Sequence, residues 1–410
     1  MLQAKSEEGK LVYLNDLTEK EKEKLRTTSF YCPTCKQKMR LKKGKVKSWH
    51  FSHVGEIKKH SCKTHYSESC LHIAGKDQLY NWIFQSTHLV QKEFTRSHVK
   101  QRPDLYCIYQ EKTYAVEYQC AAIDADILCN RTKRHIESCD LPVWIIAKDN
   151  ASPKQKKHVF LKKYPFKYMQ DTFSKLPVIY IFEKPFTHFE IQVPLAAFSP
   201  QKIFFSRIFL SKSISFFQAL QTVSIDFSME EMKKEWLQAK QTYRLSIKKK
   251  PTRLLQFLFP HFPKNHLFIS LIPSTVGIPS LFSFHLYSHA IEWQLWFQIC
   301  ILNPMEKGER MSLQNIKRKW CEMIQQGYIV LRPLPLVYRS NHYDALYAYI
   351  EYLACLGMLT IKKGYIQKGR SEKRYTHIED ALAADQNTLN HAIIYFKTKL
   401  KLLVQKNETG

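Results

Sequence analysis

Residues Arg102–Cys120 read RPDLYCIYQEKTYAVEYQC, and this strand-like segment lies at the centre of the predicted fold. It predicts two successive β-strands, with Asp104 on the first and Glu117 and Gln119 on the second. Residues two apart on a strand point to the same face of a sheet, so Glu117 and Gln119 point together. An acid on one strand and an acid–x–polar pair on the next can hold a hard divalent cation, because such ions prefer oxygen ligands.

The size and charge of the chain restrict its fold and its partners. At 410 residues it is too long for one core and predicts two or three domains. Apolar residues make up 44% of the chain, which is enough to bury a sizeable interior and excludes wholesale disorder. Lysine and arginine number 63 against 36 acids, for a net charge of +27 and a pI near 9.5. Such an excess favours nucleic acid as a partner; a membrane surface or a ribosomal contact is the alternative.

The first residues and the cysteines bear on the cellular compartment. The start, MLQAKSEEGK, contains no apolar segment, so we expect no signal peptide. The longest uncharged stretch lies between Lys264 and Glu292 and contains Pro273 and Pro279, so we expect buried loops and strands there and no membrane span. The 11 cysteines, without a secretory signal, indicate a reducing cytoplasm where thiols bind metal or pack as small apolar groups.

A zinc-binding pattern precedes the core, in the segment FYCPTCKQKMRLKKGKVKSWHFSH. Cys32 and Cys35 are separated by two residues, and His50 and His53 have the same spacing. Two thiolates and two imidazoles complete a closed tetrahedral shell, the structural type of zinc site that has no open position for catalysis. The sequence therefore predicts a Zn²⁺ ion that folds this module. Four nearby residues could replace either histidine as a ligand: His60, Cys62, His65 and Cys70.

The residues between the two ligand pairs are strongly basic. Seven basic residues and no acid lie between Lys36 and Lys47. A zinc hairpin with a basic edge can bind phosphates, and the candidates are Lys42, Lys43 and Lys45. A solvated face that keeps a small domain soluble explains the same composition equally well.

A helix is predicted to lead into the acidic strands, beginning at Ser67 in SESCLHIAGKDQLYNWIF. Serine is a favoured N-cap, and apolar residues follow it at helical spacing. Glu68, His72 and Lys76 recur every four residues and therefore share one polar face. Taken alone, these three residues are most simply a solvated face with a helical ion pair.

In this order the segments resemble the core of the PD-(D/E)xK nucleases and, with the upstream CPTC and HFSH motifs, the CoiA family of competence proteins. An acid-bearing helix comes first, then RPD, then AVEYQ, then a further helix and the apolar strand LPVWIIAKD. The resemblance is strongest from Phe30 to about Lys148. Beyond Lys148 only fragments such as VGIPS and EWQLWF are similar.

The resemblance implies a zinc module, a restriction-endonuclease-like α/β/α core and a mostly helical C-terminal domain. We place these at residues 1–66, 67–228 and 229–410. The resemblance also implies a role in handling incoming single-stranded DNA during natural transformation, alongside a RecA-type recombinase.

Matched to the family residue by residue, Asp104 and Glu117 are the two metal-binding acids, and Glu68 is the acid of the helix. The resemblance implies Mg²⁺ or Mn²⁺ at these residues, where the ion lowers the pKa of a bound water and shields charge on a scissile phosphate. Gln119, as the fourth catalytic candidate, stands where the superfamily usually has lysine. Lys76 could supply the missing positive charge.

Three further residues complete the resemblance around this site. Arg131 matches the family and could hold a phosphate or brace the site, while Arg102 is another candidate contact to nucleic acid. His135 stands where the family usually has an aromatic residue, although histidine can still stack and hydrogen-bond. The chain is then either a metal-dependent DNA nuclease or a DNA-binding accessory factor that keeps the cleft to hold DNA ends or to load a recombinase.

The remainder of the chain predicts strands and then helices. Aromatic and β-branched runs up to about Thr222 predict strands that extend or cap the nuclease sheet. The composition becomes charged and helical near Ser228. Further on, HYDALYAYIEYLACLGMLTIKKGYIQKGRSEKRY predicts a helix, a strand, a turn and a strand, which resembles a winged-helix unit with Lys368–Arg374 as a basic wing.

Overall fold

The structure is a computed structural model, which describes residues 3–14, 17–32, 36–43, 49–54, 70–94, 101–147, 166–171, 176–222, 225, 227–246, 250–265 and 268–405. The chain forms two compact units, Met1–Leu79 and Tyr80–Gly410. Both contain β-sheet, and helices are most abundant towards the C-terminus. The predicted mixed α/β, multidomain architecture is confirmed.

The first unit contains a five-stranded antiparallel sheet. Its strands are β1 (Gln3–Lys5), β2 (Leu11–Tyr13), β3 (Phe30–Tyr31), β4 (Lys38–Lys42) and β5 (His50–His53), in the spatial order β2-β1-β3-β4-β5. A short capped helix, α1 (Glu19–Lys24), precedes β3. Along β4, Met39 and Leu41 are buried while Lys38, Arg40 and Lys42, which alternate with them, are exposed, as in a strand with one covered face.

A seven-stranded sheet forms the centre of the second unit. Its strands are β6 (Val90–Lys92), β7 (Leu105–Tyr109), β8 (Lys112–Gln119), β9 (Leu141–Ile146), β10 (Ile179–Phe182), β11 (His188–Ala197) and β12 (Ile203–Ser211), in the spatial order β12-β11-β10-β9-β8-β7-β6. β8, β9 and β10 run parallel to one another, and the remaining neighbours are antiparallel. The strands predicted up to Thr222 therefore extend this sheet, as expected.

Helices cover both faces of the seven-stranded sheet. α2 (Cys70–Phe84) precedes β6, α3 (Ala125–Glu137) is the crossover between the parallel strands β8 and β9, and α4 (Phe216–Gln221) follows β12. Trp82 of α2 packs with Phe182 and Phe216 on one face. Leu128 of α3 packs with Trp144 on the other. As a result β8 is buried on both sides, and its polar side chains are accessible only near the strand ends.

The C-terminal part of the second unit is mainly helical. Its elements are α5 (Met229–Leu245), α6 (Arg253–Leu258), α7 (Ala290–Trp296), β13 (Arg310–Ser312), α8 (Leu313–Gln325), α9 (His342–Cys355), β14 (Leu359–Lys362), β15 (Tyr365–Lys368) and α10 (Ile378–Gln405). Ser228 caps α5 by accepting the Glu231 N–H at 3.2 Å. Among the helices in the described ranges, none combines the length and the apolar character that crossing a membrane requires.

The elements from α7 to β15 follow one another in the order of a winged-helix unit. The strands form an antiparallel sheet in the order β13-β15-β14. The segment predicted as a basic wing is Lys368–Arg374. Lys368 ends β15 and donates through Nζ to the carbonyls of Asn303 and Met305, so it is part of the packing, whereas Arg370, Lys373 and Arg374 are exposed. The turn between β14 and β15 also exposes Lys363.

Candidate active site

Asp104 and Glu117 lie opposite each other on neighbouring strands. β7 pairs with β8 so that Leu105 is opposite Val116, and the continuation of this register places Asp104 opposite Glu117. Directly opposite residues of an antiparallel pair share a face, with Cα atoms about 4.5–5.5 Å apart. Asp104 is fixed there because its Oδ2 accepts the Tyr118 N–H at 2.8 Å. The two carboxylates therefore point to the same side of the sheet.

The carboxylate of Glu117 is buried, and both of its oxygens have partners. The side chain is 1% exposed; its Oε2 accepts Arg131 Nη2 at 2.5 Å, and its Oε1 is 2.8 Å from His135 Nε2. Arg131 and His135 are four residues apart on α3 and so project from one face of that helix. The crossover helix thus brings a guanidinium and an imidazole back to the strand that carries Glu117.

Gln101 extends this chain of contacts beyond the imidazole. Its Nε2 is 2.9 Å from His135 Nε2, whereas its Oε1 is buried without a hydrogen-bond partner. One ring nitrogen cannot donate to Glu117 and accept from an amide at the same time. Exchanging the amide oxygen and nitrogen of Gln101, which have nearly the same shape, lets the His135 N–H face two acceptors. Gln101 and Glu117 then both hold His135 in one orientation.

The Gln119 amide is engaged away from the carboxylates. Its Nε2 donates to the Ala121 carbonyl at 2.6 Å, in the loop that leads to α3. The side chain is half-buried at the end of β8. Gln119 shares the face of Glu117, as the alternation of a strand requires. Its donor group nevertheless closes the loop and does not reach towards Glu117.

Arg131 is supported from beneath by Trp144. The guanidinium lies 5.4 Å from the centre of the indole ring, within cation–π distance. The indole is itself fixed, because Trp144 Nε1 donates to Thr132 Oγ1 at 2.9 Å. The side chain of Gln170 also accepts from the Trp144 N–H at 3.0 Å and donates to its carbonyl at 2.7 Å. Arg131 is therefore held in one place although 31% of its side chain is exposed.

The other predicted site residues either lie outside the described residues or have local contacts of their own. Glu68 and Lys45 lie outside the described residues. Lys76 on α2 is 3% exposed, which leaves its ammonium little access to solvent. Lys42 is exposed; Lys43 is 3.5 Å from Glu19, and Arg102 is 3.4 Å from Glu93.

The predicted zinc ligands are described in part. Cys32 is buried and its carbonyl accepts the Lys36 N–H at 2.9 Å, while Cys35 lies outside the described residues. The register of β3, β4 and β5 places Phe30, Met39 and His53 opposite one another in turn, so Cys32 and His53 share a face.

His50 projects differently from His53. The two histidines are three residues apart on β5, and an odd spacing on a strand places them on opposite faces. Within the described ranges, no three histidine, cysteine or acidic side chains are grouped closely enough to hold a metal ion. The zinc shell and the magnesium site both remain predictions, since each includes a residue outside those ranges.

Reasoning from sequence missed two residues of this site. Gln101 directly precedes the RPD motif but carries no signal of its own, and Trp144 reads simply as an apolar strand residue. In the sequence, His135 stands out only because the family usually has an aromatic residue at this position. The four-residue spacing of Arg131 and His135 was the available sign that both could reach one carboxylate.

Three family models match consecutive parts of the chain. They are described as the N-terminal domain, the nuclease-like domain and the C-terminal domain of the competence protein CoiA, over residues 14–65, 68–224 and 229–382. The competence protein CoiA of Bacillus subtilis (strain 168) is 34% identical over 128 residues. That match covers 31% of this chain and 33% of the relative, so it spans about a third of the relative's length. No solved structure matches the chain.

Proposed function

Because the chain belongs to the CoiA family of competence proteins, we propose that it is a metal-dependent nuclease that processes incoming or recombining DNA during natural transformation. A competence-related role follows from the family. Cleavage of DNA is our proposal, and the observation that carries it is the placement of Asp104 opposite Glu117, where β7 begins and β8 nears its end. Single-stranded DNA is the proposed substrate, and a RecA-type recombinase is the proposed partner.

The carboxylate oxygens of Asp104 and Glu117 fit a hard divalent ion. Asp104 and Glu117 offer carboxylate oxygens on one face, and oxygen is the ligand atom that Mg²⁺ and Mn²⁺ favour. Each carboxylate oxygen has two acceptor positions, so the contacts of Glu117 with Arg131 and His135 leave one position on each oxygen. When bound, the ion supplies a Lewis acid that offsets charge on a phosphate.

The side chains of the site then have separate tasks. Asp104 and Glu117 hold the cation, and the Tyr118 N–H fixes the orientation of Asp104. His135 and Gln101 fix the orientation of Glu117. Glu68 is proposed as a further acid from the segment that leads into α2.

We propose a structural role for zinc in the first unit. Cys32, which is buried after β3, and His53, which lies on the same face, are suitable first ligands. Cys35 and one residue of the group His60, Cys62, His65 and Cys70 are proposed to complete the shell. A closed shell of this kind stabilises a small fold and does not take part in cleavage.

A second candidate function is a DNA-binding accessory factor that supports a recombinase. The observation that favours it is the charge balance at Glu117, whose carboxylate already pairs with the Arg131 guanidinium. The Gln119 amide is likewise committed to the Ala121 carbonyl. A site balanced in this way can bind DNA without cutting it.

One experiment separates the two functions. Purified protein is incubated with labelled single- and double-stranded DNA in Mg²⁺, Mn²⁺ or EDTA, alongside Asp104→Asn and Asp126→Asn. Asp126 is an exposed acid in the first turn of α3 and serves as the matched control. We expect the wild type and Asp126→Asn to cut DNA with metal but not with EDTA, and Asp104→Asn not to cut. Cleavage that survives Asp104→Asn excludes this site, and binding without cleavage by the wild type favours the accessory factor.

A further inference from the structure

The proposed nuclease site has no lysine at position 119, where related nucleases carry their positive charge. Gln119 cannot replace that charge, because an amide is neutral and its Nε2 already donates to Ala121. Lys76, which the sequence suggested as a substitute, is only 3% exposed. A cation that meets a phosphate has to present its charged end to the substrate.

Arg131 meets this requirement. One of its five N–H donors bonds Glu117 at 2.5 Å, and its guanidinium lies over the ring of Trp144. With 31% of its side chain exposed, it presents the remaining donors at the edge of the buried site. Within the described ranges of the chain, Arg131 has no other hydrogen-bond partner. A planar fork with free donors, held rigidly beside an acid, is suited to bind a phosphate in two-point contact.

We infer that Arg131 is the phosphate-binding cation of this site and supplies from α3 the positive charge that a lysine would supply from β8. The inference rests on the proposed function, since the phosphate in question is a phosphodiester of the DNA substrate. Arginine keeps its charge at any physiological pH, so its role is to bind and stabilise charge and not to transfer a proton.

The geometry also explains how a residue on α3 can carry the positive charge that related nucleases carry on a strand. α3 returns across the sheet between the parallel strands β8 and β9, and Glu117 is opposite Trp144 in their register. Arg131 therefore contacts two neighbouring residues of adjacent strands, Glu117 through an ion pair and Trp144 through its ring. These two contacts orient the guanidinium before any substrate arrives, which reduces the entropy lost on binding.

The test compares Arg131→Ala with Lys133→Ala. Lys133 lies two residues away on α3, is 76% exposed and pairs only loosely with Glu137 at 3.8 Å, so its removal deletes the same charge outside the site. Two quantities are measured: cleavage of labelled DNA, and the slope of log affinity against log salt in EDTA. We expect Arg131→Ala to cut about 100-fold more slowly or worse, as for loss of one charge-stabilising donor. Its salt slope for single strands should fall by about 0.7, the effect of one lost phosphate contact.

A rescue variant makes the test specific to charge. Adding Gln119→Lys to Arg131→Ala places a cation at the strand position. We expect this double variant to cut DNA at least about tenfold faster than Arg131→Ala. Arg131→Lys keeps the charge but not the planar fork, so it should retain the salt slope and cut more slowly than the wild type. If Arg131→Ala is unfolded by circular dichroism, because Glu117 has lost its counterion, Arg131→Lys decides the question: cleavage and a salt slope both equal to those of Lys133→Ala would overturn the inference.

The outcomes distinguish this inference from the proposed function. If the wild type cuts and Arg131→Ala behaves like Lys133→Ala in both measurements, the inference is wrong and the nuclease function stands. If the wild type does not cut, the nuclease function is wrong. The salt slope alone then decides whether Arg131 contacts phosphate. If Arg131→Ala and Lys133→Ala have the same slope, the inference is wrong.

Discussion

His285 makes the stability of the second unit depend on pH. Its side chain is 8% exposed, and its Nε2 lies 2.8 Å from Ser340 Oγ. Burial, with a smaller contribution from the neighbouring His342, lowers the pKa of this imidazole from 6.5 to about 4. The folded state therefore keeps His285 neutral under conditions in which the unfolded chain binds a proton.

The sign of the effect follows from proton linkage. Between pH 6.5 and pH 4 the unfolded state binds more protons than the folded state, so stability falls as the pH is lowered through this window. We expect His285 to account for a loss of about 3 kcal/mol in the free energy of unfolding, at about 1.4 kcal/mol per unit of pKa. Urea unfolding at several pH values measures it, with His285→Gln to remove the effect and His377→Gln as an exposed control. The same pH dependence in His285→Gln and the wild type would contradict this expectation.

Single residues also show how much of the site could be predicted from sequence. Asp104 and Glu117 were found because strand alternation and hairpin pairing are local rules that the spacing of acids reveals. For Arg131 and His135, the sequence offers only the resemblance to the family, which suggests a phosphate-holding or bracing role for Arg131. Their contact with Glu117 depends on how α3 returns across the sheet, which no local pattern specifies. Gln101 was missed for the same reason.

At the scale of elements, α5 and α10 are joined by buried charges. Asp385 on α10 lies 2.8 Å from Lys240 Nζ and 2.6 Å from Arg244 Nε on α5, and all three side chains are at most 1% exposed. Lys240 also donates to the Ser274 carbonyl at 2.6 Å. Desolvation lowers the pKa of Lys240 to about 8 despite the nearby carboxylate. The cluster therefore depends on Asp385 to offset two cations.

We expect Asp385→Ala to destabilise the second unit by about 3–5 kcal/mol, because it removes the carboxylate that pairs directly with both buried cations. Glu351→Ala is the control: it removes a carboxylate that pairs with Lys399 at 3.1 Å on the surface of α9 and α10, where both side chains are about a third exposed. Such a surface pair contributes about 0–1 kcal/mol. Denaturant unfolding of both variants measures the difference, and equal losses would show that the buried cluster is not what joins the two helices.

The zinc module offers a second prediction at this scale. Because His50 and His53 project from opposite faces of β5, only His53 shares a face with Cys32. We expect one zinc per chain, lost in Cys32→Ser and in His53→Ala but retained in His50→Ala. Elemental analysis of freshly purified proteins measures the zinc content. Zinc loss in His50→Ala, with zinc retained in His53→Ala, would show that His50 and not His53 is the ligand. Wild-type protein without zinc would exclude the proposed zinc site.

The whole molecule brings together residues that are far apart in the sequence. Arg244 and Asp385 are separated by 141 positions, and Trp82 donates to the Ile214 carbonyl across 132 positions. Periodicity predicts the helices and strands on which such residues lie, since that signal is local. Which faces meet is decided by packing of the complete chain. The sequence therefore predicts the mixed α/β architecture and the two acids on neighbouring strands, but not the partners of Glu117.

Net charge is the property of the whole molecule that bears most directly on DNA. At +27, the chain should attract a phosphate backbone through many weak contacts, and each contact releases counterions from the DNA. We expect affinity for DNA to fall by a factor of about 1,000 or more between about 50 and 200 mM salt, as for proteins with six to ten phosphate contacts. Single strands should bind at least as tightly as duplex if aromatic side chains stack on unpaired bases.

Fluorescence anisotropy with labelled single- and double-stranded oligonucleotides of equal length measures both affinities across a salt series. A neutral osmolyte at matched osmolality is the control for effects other than screening, since it leaves the counterions of DNA in place. Asp104→Asn should follow the wild-type salt series, because it removes a negative charge at the metal site and leaves the basic surface unchanged. An affinity that does not change with salt would mean that the excess of lysine and arginine serves another purpose. Tighter binding to duplex than to single strands would place the specificity in helical DNA, and incoming single strands would then not be the substrate.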